Sequence, residues 1–248
     1  MTPRMLSWIA QATNGRLVGT DRAIDAVATD TRALPQGRAA LFVALKGENF
    51  DGHEYVAKAA AGGCVAALVS REVDVAIPQV VVADSERALG ELAAAVQRER
   101  TTNVLAITGS NGKTSVKTLL LSILQQTAGD GRVVYANPGN RNNEIGLPLA
   151  VLDAPEDADW AVYEMGAGKP GDIAYLTAIA RPNVSLVNNI APAHLERLGT
   201  LLAVVVLWVI PLAQRAAPTD PGQPPARRKR LRRKTRAGLT ADTPQDGL

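Results

Sequence analysis

A glycine-rich segment between a predicted strand and a predicted helix is the part of the sequence best suited to bind phosphate. The segment GSNGKTS follows the apolar run Val104–Thr108, and apolar residues at helical spacing follow it, at 116, 119, 120, 123 and 124. This pattern predicts a helix that begins near Thr114. In such a turn, backbone N–H groups and the helix dipole point at a phosphate, a lysine adds positive charge, and a hydroxyl can ligate Mg²⁺. The segment therefore predicts a nucleotide-binding loop made of Gly109, Ser110, Asn111, Gly112, Lys113, Thr114 and Ser115.

The spacing of this loop departs from the common G-x-x-x-x-G-K-T pattern, because Ile107 stands where the first glycine would be. A tight turn between a strand and a helix that happens to contain Gly-Lys is therefore the alternative interpretation. The strand before the loop and the helix after it favour nucleotide binding.

An acidic residue and a histidine follow two further predicted strands. The buried-type strand Trp160–Met165 carries Glu164 near its end, and a similar strand, Val184–Asn188, is followed by His194. Because the carboxyl ends of parallel strands share one crevice, we expect Lys113, Glu164 and His194 to converge there. A carboxylate and an imidazole beside a phosphate loop suit Mg²⁺ and ATP. Taken singly, Glu164 could be a surface carboxylate and His194 an ordinary loop histidine.

The segment YANPGNRNNEIG is unusually dense in amide side chains. Its polarity argues against a buried strand, and a loop of this kind could grip a polar substrate or a phosphate. The alternative is a turn rich in asparagine, since these side chains readily bond to their own backbone. The candidate substrate-binding residues are Asn140, Asn142 and Asn143.

The first hundred residues predict a small α/β unit. Three short apolar runs predict strands: Ala40–Leu45, Cys64–Ser70 and Gln79–Asp84. A helical stretch, His53–Ala61, connects the first two runs. Ser85 is the predicted cap of a second helix with apolar residues at 88, 89, 92, 93 and 96, and Thr101–Thr102 is the predicted linker to the next unit.

Composition excludes several classes of function. A chain of 248 residues with 46% apolar residues can bury one or two cores. Residues 214–248 carry 9 of its 27 Lys and Arg but only 3 of its 24 Asp and Glu, which leaves 18 basic against 21 acidic residues in 1–213. The body thus gives no reason to expect a specific nucleic-acid partner. Cys64 is the only cysteine, and the N-terminus lacks a continuous apolar signal region, so we expect a cytoplasmic monomer. Leu201–Ile210 is too short to span a bilayer as a helix, so we expect no membrane role.

In combination and in this order, TGSNGKTSVK, GNRNNEIGLPL, EMGAGKPGDI and NNIAPAHLE resemble the Mur ligases, ATP-dependent amide-bond-forming enzymes of peptidoglycan precursor synthesis. The resemblance covers about Leu6–Thr200. The segments Thr29–Arg32 and Asp51–His53 are similar to parts of the family's UDP-sugar-binding domain. Residues 139–143 favour the branch of the family that joins D-Ala-D-Ala to UDP-N-acetylmuramoyl-tripeptide.

The resemblance implies an α/β chain with a small UDP-sugar-binding domain (1–100) and the first part of a P-loop, parallel-sheet ATP-binding domain (101–213). Residues 214–248 are rich in proline and basic residues and have no apolar periodicity, which predicts a disordered tail. The resemblance also implies that a substrate carboxylate is activated as an acyl phosphate, with ATP and Mg²⁺ as cofactors. Lys113 would hold phosphates, Thr114 and Glu164 one Mg²⁺, and His194 the second. The implied substrate-binding residues are Thr31 and Arg32 together with the three asparagines. Asn137 departs from the family, which often has a hydroxyl residue there.

Beyond about Thr200 the sequence no longer matches the family. A lysine that orients the metals in many members would fall near Trp208, but none occurs between Lys169 and Lys229, and no segment resembles the domain that binds D-Ala-D-Ala. A frameshift or a mistaken gene end explains the switch, whereas a genuine basic tail that binds RNA or acidic lipid is the alternative. We expect this chain to be inactive in ligation. It could instead act as a non-catalytic fragment that binds UDP-sugar and nucleotide.

Overall fold

Two mainly parallel β-sheets organise the chain in the computed structural model, which describes residues 1–129 and 131–191. The described residues belong to one compact unit. Three features of the sequence lie outside them: His194, the apolar run Leu201–Ile210 and the basic tail 214–248. Among the described helices, none is long and apolar enough to cross a membrane.

The N-terminal sheet has five strands in the order β2-β7-β6-β5-β4, and only β2 runs antiparallel to its neighbour. Its strands are β2 (Arg16–Val18), β4 (Ala26–Ala28), β5 (Ala40–Val43), β6 (Ala66–Val69) and β7 (Gln79–Val81). A two-stranded sheet pairs β1 (Arg4–Met5) with β3 (Ala23–Ile24), next to helix α1 (Leu6–Ala12). The three predicted strands are confirmed with shorter bounds. The predicted helical stretch 53–61 divides into a 3₁₀ turn (Gly52–Tyr55) and α2 (Val56–Ala61).

Helix α3 (Ser85–Glu99) connects the two halves and buries its predicted apolar face, residues 88, 89, 92, 93 and 96. Its predicted cap is wrong. The Asp84 carboxylate caps the helix, accepting hydrogen bonds from the N–H groups of Glu86 and Arg87 at 2.9 and 3.0 Å. Ser85 is instead the first helical residue, and its hydroxyl donates to the carbonyl of Ala44 at 2.6 Å. The carboxylate can accept both N–H groups, whereas the hydroxyl satisfies a buried carbonyl beyond the end of β5.

The second sheet is wholly parallel, with the order β11-β8-β10-β9. Its strands are β8 (Asn103–Thr108), β9 (Val134–Ala136), β10 (Trp160–Glu164) and β11 (Val184–Val187), and its helices are α4 (Lys113–Ala128), α5 (Gly146–Asp153) and α6 (Asp172–Ala180). Helix α3 packs against both α5 and α6. Glu164 lies opposite Ile107 in the register of β10 and β8, which sets the end of β10 beside the loop that follows β8.

Two apolar elements of this half are more exposed than their sequences indicate, and the prediction of β11 as a buried-type strand is wrong. In α4, Leu119 and Ile123 are 62% and 54% exposed, whereas Lys117 is only 6% exposed, so the helix turns a lysine toward the sheet. In β11, Val184 and Leu186 are 55% and 40% exposed. The strand is at the edge of the described sheet, so side chains that would be covered in a central strand stay open to solvent.

Candidate functional site

The glycine-rich loop between β8 and α4 has the backbone geometry of a phosphate-binding turn. Gly109 and Gly112 adopt φ angles of +144° and +74°, which side chains rarely tolerate. A Cβ atom on Gly109 would come within 3.0 Å of the backbone nitrogen of Asn189, so the chain passes too closely there for a larger residue. The loop leads directly into the first turn of α4, which contains Lys113, Thr114 and Ser115. N–H groups in the first turn of a helix have no intrahelical partner, so they remain available to an anion.

The segment that follows β11 holds the loop in place. Asn189 accepts two hydrogen bonds from it: the N–H of Ser110 reaches its carbonyl at 3.0 Å, and that of Asn111 reaches its Oδ1 at 2.9 Å. Asn188 donates from Nδ2 to the carbonyl of Asn111 at 2.7 Å, and the Ser110 hydroxyl donates to the carbonyl of Ala191 at 3.0 Å. Ser110 and Asn111 therefore shape the loop. Sequence reasoning gave no role to the two asparagines, although an Asn-Asn pair directly after a strand is a usable signal.

Lys113 and Thr114 make different contacts at the start of α4. The ammonium of Lys113 folds back onto the carbonyls of Gly109, at 2.7 Å, and of Ser110, at 3.4 Å. The hydroxyl of Thr114 donates to the Glu164 Oε2 atom at 2.9 Å. The structure thus brings Thr114 and Glu164 into direct contact, and Lys113 lies in the same loop without touching the carboxylate.

Glu164 is 3% exposed, and both oxygens of its carboxylate have partners. Besides Thr114, Asn142 donates to Oε1 at 2.8 Å, and the ammonium of Lys117 lies 3.4 Å from Oε2. A carboxylate beside a hydroxyl is a set of hard oxygen ligands that fits Mg²⁺. Among the described residues, no cluster of three His, Cys, Asp or Glu side chains could hold a metal ion. Phosphate oxygens and water could add further ligands to those that Thr114 and Glu164 would supply.

Asn137, the residue that departs from the family pattern, extends the pairing of β9 with β10 through its side chain. It is 2% exposed; its Oδ1 accepts from the N–H of Glu164 at 2.9 Å, and its Nδ2 donates to the Glu164 carbonyl at 3.2 Å. Nδ2 also donates to the carbonyl of Arg141 at 2.8 Å. An amide supplies both a donor group and an acceptor oxygen in one plane, so it can bond to both the N–H and the carbonyl of Glu164.

The three predicted substrate-binding asparagines have different surroundings. Asn140 is exposed, and its carbonyl accepts from the N–H of Asn142 at 2.8 Å. Asn142 bonds to Glu164, as described above. Asn143 accepts a hydrogen bond from the N–H of Gly146 at 2.8 Å and so closes the turn at the start of α5. Two of the three side chains therefore have structural hydrogen bonds, which is the behaviour expected of an asparagine-rich turn.

Lys117 is a residue of this site that sequence reasoning missed. Its ammonium donates to the carbonyls of Asn137, at 3.0 Å, and Gly139, at 3.1 Å, in addition to its contact with Glu164. It lies one helical turn after Lys113, so the two lysines share a face of α4. That spacing, and its position inside a predicted helix packed on a sheet, was the available signal.

The N-terminal half contains a cavity of about 440 Å³. Its walls are formed by Thr29, Asp30, Thr31, Arg32, Phe42, Leu45, Phe50, Gly52, Tyr55 and Lys58. Arg32 forms a two-pronged ion pair with Asp30, with contacts of 2.9 Å at Nε and 2.6 Å at Nη2. The hydrogen bonds from the Arg32 side chain and N–H lower the pKa of Asp30 to about 2. The predicted residues Thr31 and Arg32 therefore both lie at this cavity.

His53 links the segment around Asp51, next to the cavity, to Ser70 through hydrogen bonds. Its ring is buried, and its Nε2 accepts a hydrogen bond from the N–H of Ser70 at 2.8 Å. The proton is therefore on Nδ1, which donates to the Asp51 carboxylate at 2.5 Å. Asp51 also accepts from the N–H of His53 at 3.0 Å and pairs with Arg71 at 2.9 Å. These contacts lower the pKa of Asp51 well below that of an ordinary aspartate, and the hydrogen bond from the His53 N–H is the largest cause.

Two family models match consecutive parts of the chain. The model of the Mur ligase family catalytic domain matches residues 23–108, and that of the Mur ligase middle domain matches residues 107–206. The UDP-N-acetylmuramoyl-tripeptide–D-alanyl-D-alanine ligase of Escherichia coli (strain K12) is 48% identical over 199 residues, which cover 80% of this chain and 43% of that protein. The ligase of the same name from Bacillus subtilis (strain 168) is 39% identical over 206 residues, with 81% and 44% covered.

Solved structures give the same result. Crystal structure I of MurF from Acinetobacter baumannii matches with a TM-score of 0.79 and 35% identity over 88% of this chain and 48% of that one. The MurF ligase from Thermotoga maritima in complex with ADP matches with a TM-score of 0.66 and 34% identity, covering 74% and 42%. The predicted α/β fold is confirmed, and the chain spans less than half the length of these relatives. The chain belongs to the Mur ligase family.

Proposed function

We propose that the chain carries the UDP-sugar-binding and nucleotide-binding parts of an ATP-dependent ligase of peptidoglycan precursor synthesis. The ligase would join D-Ala-D-Ala to UDP-N-acetylmuramoyl-tripeptide, the reaction named for the E. coli and B. subtilis relatives. The observation that carries the proposal is the 2.9 Å contact between Thr114 and Glu164 at the N-terminus of α4. This contact joins a hydroxyl and a carboxylate at the point where a phosphate would bind. Consumption of ATP and of a UDP-activated precursor fits a cytoplasmic location.

The proposed chemistry has two steps. The tripeptide carboxylate attacks the γ-phosphate of ATP, giving an acyl phosphate and ADP. The amine of D-Ala-D-Ala then attacks the acyl carbon, and phosphate leaves as the amide forms. Phosphoryl transfer of this kind depends mainly on positioning and charge neutralisation, so the protein needs well-placed cations and N–H groups more than an acid or a base.

The residues around the loop supply these functions in the proposal. Lys113 would exchange the carbonyl of Gly109 for the β- and γ-phosphates, because an ammonium gains more from a charged acceptor than from a neutral one. Thr114 and Glu164 would hold Mg²⁺, and the first-turn N–H groups of α4 would hold phosphate oxygens. The bound Mg²⁺ would neutralise negative charge on the phosphates. His194, the proposed ligand of a second ion, lies outside the described residues.

The N-terminal cavity is the proposed site for the UDP-sugar. Its exposed aromatic side chains, Phe50 and Tyr55, offer faces to a nucleobase or a sugar, and Arg32 and Lys58 offer positive charge to the diphosphate. Arg32 pairs with Asp30 at 2.6 Å on the wall of the same cavity. We propose that Thr31 and Arg32 bind substrate here, and that Asn140, Asn142 and Asn143 do so in the central half. Asn142 and Asn143 would have to exchange their hydrogen bonds with Glu164 and Gly146 for contacts with the substrate.

A second function, binding without ligation, is favoured by one observation. The chain spans 43% of the length of the E. coli relative, and the two sites proposed here take the UDP-sugar and the nucleotide but not the dipeptide. A dipeptide acceptor that is not held must react from bulk solution, which forfeits much of the roughly 7–11 kcal/mol that orientation can contribute. In this case the 248 residues bind UDP-sugar and nucleotide but turn over neither.

One assay distinguishes these functions. Purified chain receives UDP-N-acetylmuramoyl-tripeptide, D-Ala-D-Ala and Mg·ATP, and phosphate release is measured alongside calorimetric titrations of the UDP-sugar and of ATP. Phosphate release that requires the dipeptide supports ligation. Binding of both nucleotides without such release supports the second function. A folded chain that binds neither ligand contradicts both, and Lys113→Ala is the negative control for the ATP arm.

A further inference from the structure

The ammonium of Lys117 occupies a closed position between the asparagine-rich loop and Glu164. Its three contacts are the carbonyls of Asn137 and Gly139, at 3.0 and 3.1 Å, and the Glu164 Oε2 atom at 3.4 Å. The two carbonyls accept hydrogen bonds from the ammonium, and the carboxylate forms an ion pair with it. The side chains of Lys117 and Glu164 are only 8% and 4% exposed, which keeps water from screening their attraction.

Lys117 differs in this respect from Lys113, one turn earlier in α4. Lys113 is partly exposed and contacts only backbone carbonyls of its own loop. Lys117 is buried and faces a carboxylate. Lys113 is therefore placed to contact a bound phosphate, whereas Lys117 neutralises the charge of Glu164 before any ligand binds.

This pairing affects a metal ion that approaches Glu164. The carboxylate and the ammonium together carry no net charge, and no group of three acidic or metal-binding side chains occurs among the described residues. A divalent cation without nucleotide would meet one carboxylate already neutralised and a positive charge beside it. Phosphate oxygens would add negative charge and ligands beyond those that the described residues supply.

We propose that Lys117 is a built-in counter-cation of Glu164, which keeps this carboxylate from binding a free divalent metal and makes metal entry depend on nucleotide. The inference rests on the proposed nucleotide site and adds a regulation of that site. Lys117 acts through Glu164 and is therefore a positioning residue.

The test uses Mn²⁺ alone as the probe, because it takes the same hard oxygen ligands as Mg²⁺ and its free form is visible by electron paramagnetic resonance. The full 248-residue chain, at pH 8, is titrated without nucleotide. Lys117→Gln removes the charge but keeps an amide donor for the backbone carbonyls; we expect it to bind Mn²⁺ about tenfold more tightly than the wild type. Lys117→Arg keeps the charge and should bind as weakly as the wild type. Lys46→Gln, which removes an exposed lysine of the N-terminal half, is the matched control.

A purely structural role for Lys117 predicts the opposite sign, since a loosened site would bind metal less well. Equal or weaker Mn²⁺ binding by a Lys117→Gln chain with wild-type circular dichroism overturns the proposal. The double variant Lys117→Gln, Glu164→Gln should lose the gain. A gain that survives in this double variant is also contradictory, because it would not act through Glu164.

A second measurement needs no variant. In the wild type, ADP should increase the affinity for Mn²⁺ by about tenfold or more, since the phosphates add charge and ligands. A wild-type chain that binds Mn²⁺ equally well without ADP contradicts the proposal, even if Lys117→Gln does not fold. Failure of ADP to bind at all contradicts the proposed function. The Mn²⁺ titrations of the wild type and Lys117→Gln contain no nucleotide, so they test the role of Lys117 separately.

Discussion

The N-terminal cavity and the loop at the start of α4 are prepared for ligands in different ways. The cavity has volume, apolar walls and exposed aromatic side chains, and its charged groups Asp30 and Arg32 pair at the surface. The central site instead has its polar groups bonded to one another: Lys113 to a loop carbonyl, and Thr114 to Glu164. A ligand fills the first site but must replace internal hydrogen bonds in the second. Changes of charge should therefore affect the central site more strongly.

The largest expected effect is that of Lys113→Ala on nucleotide binding. The change removes a charge-assisted phosphate contact worth about 1.5–3 kcal/mol, which corresponds to a roughly ten- to hundredfold loss of affinity. Calorimetric titration of Mg·ATP measures it, with Lys46→Ala as a control for the loss of one lysine. An unchanged affinity for Mg·ATP would contradict the proposal that this loop binds phosphate.

Asn137→Ala tests how far the central site depends on its internal hydrogen bonds. The change leaves the buried N–H of Glu164 and two carbonyls without the Asn137 amide, so we expect the free energy of unfolding to fall by about 2 kcal/mol. Urea denaturation measures this loss. Asn140→Ala, at an exposed position of the same loop, should change stability little. Equal effects of the two changes would mean that the Asn137 amide does not support the site.

Arg32→Ala tests the N-terminal cavity. We expect the affinity for the UDP-sugar to fall by about tenfold, as one exposed charge-assisted contact is lost, and the affinity for Mg·ATP to stay unchanged. Parallel titrations of the two ligands measure both effects. A loss of both affinities would show that the two sites are coupled and would contradict their description as separate sites.

The pH dependence of the Asp30–Arg32 pair has a definite sign. The pKa of Asp30 is lowered in the folded chain from 3.8 to about 2. Its contribution to stability is therefore complete above about pH 4 and is lost as the pH falls toward 2. Between pH 7 and pH 5, UDP-sugar binding should show no titration from this pair. A transition in that range that disappears in Asp30→Asn would contradict the assignment.

The smallest expected effect is that of removing the basic tail. We expect a proline-rich, charged segment without apolar periodicity to bury little apolar area, so a chain ending at Gln214 should keep its circular dichroism spectrum and thermal transition. Differential scanning calorimetry of the two chains makes the comparison. A drop of several degrees on truncation would indicate that the tail packs against the body.

Short sequence patterns predicted those elements whose residues are continuous in the chain. The strand, glycine loop and helix around Lys113 form one continuous segment, and the apolar spacing of α3 identified its buried face. Strand β9 has three residues and α5 is apolar on all sides, so neither has a periodicity that marks it. The partners of Lys117 include carbonyls 20 and 22 positions away, and backbone atoms of a distant loop leave no trace in a local pattern. The exposure of β11 likewise depends on strand order, which spacing does not determine.

The dependence of nucleotide binding on Mg²⁺ tests the central claim most directly. ADP is titrated with and without Mg²⁺ into the wild type and into Glu164→Gln, which keeps the shape of the side chain but removes its charge. We predict that Mg²⁺ raises the ADP affinity of the wild type by about tenfold or more and that of a folded Glu164→Gln chain by less than about twofold. An equal gain in both chains would contradict the assignment of Glu164 as the metal-binding carboxylate of the nucleotide site.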